Sequence, residues 1–232
     1  MNRLIELVIE AGYAERVLSK RQISRILGGS DDSRYALVKR AVKAGALVKV
    51  KRGHYVLDDK FRKQPVHPFH LAQALVAGSY VSMESALAFH GWIPEAVFTA
   101  MSVTPGRKST ALDHPKFGRF SFHPLAVNKL TFLQSVERQT IGKQAMLIAK
   151  PLRALMDLVA FRKLAWQGLD GIVSGLRINA AHLMGVPKRE FIAMQRVYKH
   201  KAVRAFLAQL EAEVADLKAQ RKVTKGKVSG DE

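Results

Sequence analysis

The chain has 232 residues, enough for one large domain or two small ones. It carries 38 lysines and arginines against 19 aspartates and glutamates, a formal net charge of +19. That excess implies a polyanionic partner, nucleic acid ahead of an anionic membrane. There is no cysteine, which excludes disulfides, zinc fingers, iron–sulfur clusters and thiol nucleophiles. The hydrophobic fraction, 48%, suffices for ordinary buried cores and argues against wholesale disorder. No apolar run approaches the roughly 18 residues of a membrane span. The start, MNRLIELVIEAGYAE, has carboxylates inside its apolar stretch and no small-residue cleavage site, so it does not read as a secretory signal. A cytoplasmic location is expected.

Residues 4–11, LIELVIEA, space Leu4, Leu7, Val8 and Ala11 at helical intervals, and Gly12 follows as a stop. In SKRQISRILGG, Ser19 offers an N-cap, Ile23, Ile26 and Leu27 form an apolar face, and Gly28-Gly29 ends the helix. A third helix is predicted from just after Ser33 to about Ala44, with Gly45 as its stop. Two short strands follow, near 47–51 and 54–57, joined by Arg52-Gly53. Three helices and a hairpin in this order are the order of a winged helix-turn-helix, expected over residues 1–60.

Residues 58–66, DDKFRKQPV, read as a linker. A second, mixed α/β domain is expected over 61–222. It has helices near 68–77 and 83–90 and strands near 96–104, 117–123, 132–140 and 144–149, the last two joined at Gly142-Lys143. Pro151 opens a helix with Leu152, Leu155, Met156 and Val159 on one face. Further helices are predicted at 169–176, 188–199 and 202–221, with a flexible tail at 223–232. The fold class is thus α+β with a helical C-terminus.

The third helix carries the functional signal. At about 100° per residue, Leu37, Val38, Ala41, Val42 and Ala44 gather on one side. Lys39, Arg40 and Lys43 gather on the other, with Tyr35 at the margin and the small Ala36 among the cations. A recognition helix needs this layout, with its early residues on base edges and an alanine methyl able to meet thymine. Tyr35, Ala36, Lys39 and Arg40 are expected nearest the bases, and Lys43 on phosphate. Ser33 and the helix-start amides suit a phosphate as well, and Arg34 belongs to the expected DNA-binding set. The hairpin adds Lys49, Lys51, Arg52 and His54. A solvated basic face is the plainer alternative. The one-sided placement of the cations and their recurrence in the hairpin favour DNA. RNA modules normally present aromatic platforms, and this region offers only Tyr35 and Tyr55.

No catalytic centre announces itself. His67 and His70 stand three residues apart at a helix start with no carboxylate or thiol to complete a metal set. His90 reads as a packing or helix-end residue. Gly28 to Asp32 invites a nucleotidyltransferase reading, but that chemistry needs separate strand-borne carboxylates, and a helix stop followed by a helix cap explains the run. TPGRKST at 104–110 lacks phosphate-loop spacing. Asp157 is expected as a buried partner of Arg153 or a neighbour. No cofactor is expected. Cations continue through the second domain, Arg107, Lys108, Arg162 and Lys188 among them, and suit either DNA or an acidic protein.

The order of a basic module ending KRGHYVL, then YVSMESALAFHGWIPEAV, then VTPGR, then AMLIAKPLRALMDLVAF resembles the AbiEi family, the antitoxins of type IV toxin–antitoxin pairs. The resemblance spans about residues 4–163. It implies a non-enzymatic DNA-binding autorepressor whose N-terminal domain binds inverted repeats in its own promoter. It also implies a C-terminal domain that counters a nucleotidyltransferase-like toxin, AbiEii, without a stable complex. The DNA contacts it implies are those of the third helix and hairpin named above. Two rival readings are a regulator whose second domain senses a ligand and an enzyme acting on nucleic acid.

Overall fold

The computed structural model describes residues 3–95 and 97–228, with side chains as far as residue 221. The chain is mixed α+β with a helical C-terminus and divides into two units. The first takes in Met1–Ala77 with 113–118 and 139–146, and the second the remainder.

The first unit opens with α1 (Arg3–Glu10), β1 (Leu18–Ser19), α2 (Lys20–Leu27) and α3 (Asp31–Lys43), followed by β2 (Leu47–Lys51) and β3 (His54–Leu57). Helix α1 buries Leu4, Ile5 and Val8; Leu7 is half-buried, and Ala11 falls past the helix end and is exposed. Helix α2 starts at a reciprocal cap. The Gln22 amide donates to Ser19 Oγ at 3.2 Å, and Gln22 Oε1 accepts from the Ser19 amide at 2.8 Å. Ile23, Ala41, Leu47 and Leu57 join the α1 residues in one apolar core. Each leucine, isoleucine or valine among them stabilises the unit by about 1.5–3 kcal/mol.

Helix α3 begins earlier than expected. Ser30 is extended and its Oγ accepts from the Ser33 amide at 3.3 Å, so Ser30 is the N-cap and Ser33 lies inside the first turn. Asp31 and Asp32 occupy that turn, where carboxylates offset the helix dipole. At the far end, Gly45 adopts φ +64, a conformation costly for other residues. The helix therefore stops at Lys43, and Ala44, expected on the apolar side, is an exposed cap residue.

The three strands form an antiparallel sheet in the order β1-β3-β2, with Leu18 opposite Tyr55 and Lys49 opposite Tyr55. The register slips between Lys49 and Lys51. Gly53, at φ +76, makes the hairpin tip, and its carbonyl accepts from the Lys20 amide at 2.8 Å. Strand β1 has only two residues, too few for an alternating pattern to show. Residues 58–66 are not a free connection. The Arg62 guanidinium, fully buried, donates to the Ala14 carbonyl at 2.9 Å and the Glu15 carbonyl at 3.1 Å. Helix α4 (Pro68–Leu75) follows, capped by His67 Nδ1, which accepts from the Phe69 amide.

After α4 come β4 (Tyr80–Val81), α5 (Met83–Phe89), β5 (Thr99–Thr104), β6 (Thr110–His114), β7 (Gly118–Pro124), β8 (Val136–Ile141) and β9 (Gln144–Ala149), of which β4, α5 and β5 lie wholly in the second unit. These strands form a mixed sheet in the order β6-β7-β5-β4-β9-β8. Strand β4 runs antiparallel to β5 and parallel to β9, and β5 runs parallel to β7. Of the strand expected at 96–104, Ala96 lies outside the described residues. Strand β6 was not anticipated, because TALDH is mostly exposed and shows no apolar alternation. Residues 132–135 precede β8 as turn, after a 3-10 turn at Lys129–Thr131.

Helices α6 (Pro151–Arg162), α7 (Gly168–Val173), α8 (Ala180–Gly185), α9 (Lys188–Met194) and α10 (Lys201–Val228) complete the chain. Every residue of α6 from Leu152 to Val159 is buried, so this is a core helix rather than a one-faced one. Helix α10 carries its backbone on to Val228, past the expected end at 221. RKVTKGKV has no proline, and extending a formed helix adds one hydrogen bond per residue ordered. Residues 229–232 of the expected tail lie outside the described residues. Among the described residues no helix is long and apolar enough to cross a membrane.

Candidate nucleic-acid interface

Helix α3 turns Ala41 into the core and half-buries Leu37, Val38 and Val42. That fixes what the opposite side presents. Lys39, Arg40 and Lys43 are exposed, and so are Ser33 and Ala36. Tyr35 is 70% exposed. Tyr35, Lys39 and Lys43 are spaced by four and form one row; Ala36 and Arg40 form the next. None of the three cations enters an ion pair among the described residues. A solvated lysine or arginine keeps its full charge and its reach, which a phosphate or a base edge requires.

Arg34 has a different task. Its guanidinium donates to the Gly29 carbonyl at 2.5 Å, to the Gly28 carbonyl at 3.2 Å, and to Asp31 Oδ1. It thereby ties the α2–α3 turn together, and it holds the Asp31 carboxyl below the usual carboxylate range. Arg34, expected among the DNA-binding residues, is committed to the protein's own backbone. Ser33 is also displaced from its expected place: its amide is already bonded by Ser30.

In the hairpin, Lys49 and Arg52 are exposed, and Val50 between them is buried. His54 is half-buried, with Nδ1 3.4 Å from the Arg52 carbonyl. Lys51 is not available. Its Nζ donates to the Leu75 carbonyl, and burial pulls its pKa down. The register slip between Lys49 and Lys51 separates the two lysines' roles. The accessible set is therefore Tyr35, Ala36, Lys39, Arg40 and Lys43 on α3, with Lys49 and Arg52 on the hairpin.

Two contributors escaped the sequence reading. Lys20 and Ser24 of α2 line a cleft of about 470 Å³ together with residues of α3 and the hairpin. Lys20 follows directly on a helix cap, but nothing in its neighbourhood along the chain indicates that the hairpin tip folds back beside it. That contact is made by the Lys20 amide and the Gly53 carbonyl.

The second unit holds a buried polar network. Asp157, wholly buried, accepts from Arg153 Nε at 2.9 Å, Tyr80 Oη at 2.9 Å, Ser82 Oγ at 2.7 Å and Tyr198 Oη at 2.6 Å. Arg153 also donates to Tyr80 Oη at 2.6 Å and to the Gln134 carbonyl at 3.0 Å. Burial pushes both phenols well above the ordinary tyrosine range, and the Asp157 carboxylate adds to it. Every charge here has partners, as buried charge requires. His90 Nε2 lies 2.9 Å from the Ala149 carbonyl and ends α5. Several second-unit cations are engaged: Lys150 with Glu190 at 3.1 Å, Arg162 with Glu84, and Arg177 with Glu95 at 2.9 Å. Residues 105–109 of the TPGRKST segment form the exposed turn between β5 and β6. No cluster of three or more His, Cys, Asp or Glu is arranged for a metal among the described residues.

No family model matches the chain, and no curated protein matches it.

Proposed function

We propose that the chain is a sequence-specific DNA-binding protein, with its first unit acting as a winged helix-turn-helix and α3 as the recognition helix. The observation that carries the reading is the outward exposure of Lys39, Arg40 and Lys43, in no ion pair among the described residues, on the helix that buries Ala41. In this reading Tyr35, Ala36, Lys39 and Arg40 face base edges in the major groove, where arginine and lysine pair with guanine. Lys43, Lys49 and Arg52 neutralise phosphates, and the Arg52-Gly53 tip follows the backbone. Lys51 and Arg34 support the fold and touch no DNA.

The resemblance to AbiEi antitoxins extends the proposal. The duplex is then an inverted repeat in the chain's own promoter, and the biological role is to repress that operon and counter a nucleotidyltransferase-like toxin. The second unit contributes no catalysis in this reading, and its fully buried Arg153–Asp157 pair is structural. A gel-shift titration on promoter DNA at fixed salt tests the first step. Lys39→Ala with Arg40→Ala is expected to weaken binding by roughly 100-fold, the loss of two good base contacts. Unchanged affinity sinks the assignment of α3. Co-expression with the neighbouring candidate toxin tests the second step; failure to restore growth removes the antitoxin role and leaves DNA binding standing.

A further inference from the structure

The cleft beside α3 is built for more than a sugar–phosphate strand. Its rim carries Lys20, Lys49 and Arg52, all exposed and in no ion pair among the described residues. Its wall is apolar and aromatic: Ile23 is 2% exposed, Val38 and Tyr55 are half-buried, and Tyr35 stands largely free. One lining donor, Arg34 Nε, is buried with no partner in the protein. Asp31 also lines the cleft, but its charge is taken up by Arg34. A volume of about 470 Å³ falls in the range of small-molecule sites. A phosphodiester backbone alone would use the cations and leave the aromatic and aliphatic wall in water.

We infer that this cleft binds a nucleoside polyphosphate, with the phosphates on Lys20, Lys49 and Arg52 and the base against Tyr35 and Tyr55. Phosphate oxygens match the cationic rim, with arginine able to grip two oxygens at once. Tyrosine faces accept any nucleobase by stacking. The occupant covers Tyr35, Lys49 and Arg52, so it competes with a duplex. This regulatory half rests on the DNA-binding reading; the site itself does not.

The test is calorimetric titration of the full chain with ATP, GTP, guanosine and inorganic pyrophosphate, followed by duplex competition. A nucleotide is expected to bind at least roughly tenfold more tightly than guanosine or pyrophosphate, since only it uses both halves of the cleft. Lys49→Ala with Arg52→Ala is expected to weaken it roughly tenfold or more. Tyr35→Ala should abolish the preference over pyrophosphate, and Arg21→Ala, an exposed cation outside the cleft, should change nothing. Absence of nucleotide binding, parity with pyrophosphate, or saturable binding that ignores these variants overturns the site. Excess nucleotide is expected to release bound promoter DNA, and simultaneous occupancy overturns the regulatory half. If nucleotide binds as described but no duplex does, the site stands and the DNA reading fails.

Discussion

Lys49, Lys51 and Arg52 stand within four residues of one another in a basic hairpin, yet the structure divides them sharply. Lys49 and Arg52 are exposed and free, whereas Lys51 is spent on the Leu75 carbonyl. If Lys43, Lys49 and Arg52, the three cations placed on the DNA backbone, each neutralise one phosphate, log K falls with log salt at a slope of about −2.7, from about −0.9 per phosphate. Affinity then drops about 40-fold between 50 and 200 mM salt. Lys49→Ala with Arg52→Ala removes two contacts, so the slope becomes about −0.9 and the drop about 3.5-fold. Lys51→Met keeps the slope of the parent. It loses only an internal hydrogen bond, about 1 kcal/mol of stability, and lowers the melting temperature by a few degrees. Fluorescence anisotropy of a labelled duplex across a potassium chloride series, with a thermal melt of each variant, separates the cases. A Lys51→Met slope as shallow as that of the double variant refutes the division. So does a double-variant slope equal to the parent's.

The buried network of the second unit makes two further expectations. Asp157→Ala strands the Arg153 guanidinium in the core and should cost about 3–5 kcal/mol, read by urea unfolding; a loss under 1 kcal/mol would mean that solvent reaches the site. Tyr80 and Tyr198 hold their phenols protonated above the ordinary tyrosine value in the folded state. Their contribution is fully present below pH about 10 and is lost as pH rises from there toward the raised folded values. Stability should fall in that window by about 1.4 kcal/mol per pH unit for each phenol. Tyr198→Phe should flatten the decline by one such increment, and an unchanged alkaline slope contradicts the burial argument.

Much of the first unit is legible along the chain because its signals are local. Ser19 with Gln22 spells a capping box, Gly28, Gly45 and Gly53 are among the glycines at which the backbone takes positive φ, and the apolar spacing of 37, 38, 41 and 42 turns the cations outward. The start of α3 was misplaced because Ser30 and Ser33 are both competent caps, and only the extended backbone at Ser30 distinguishes them. In the second unit, the pairing of Asp157 with Arg153 is an i,i+4 relation and shows in the sequence. Its bonds to Tyr80, Ser82 and Tyr198 join residues 41 to 77 positions apart and do not.

The amino-acid order by itself determined that this is a strongly basic, cysteine-free α+β chain, and that one helix separates its greasy residues from its cations. Those properties follow from composition and from a 3.6-residue period, which need no knowledge of neighbours. Only the tertiary structure decided which cations are free. Arg34 closes a turn, Lys51 reaches Leu75 across 24 residues, and Lys20 meets the hairpin tip through a single backbone bond. A charge is available to a partner when no carbonyl or carboxylate of its own chain lies within reach, and that is a distance in space, which no spacing along the sequence encodes.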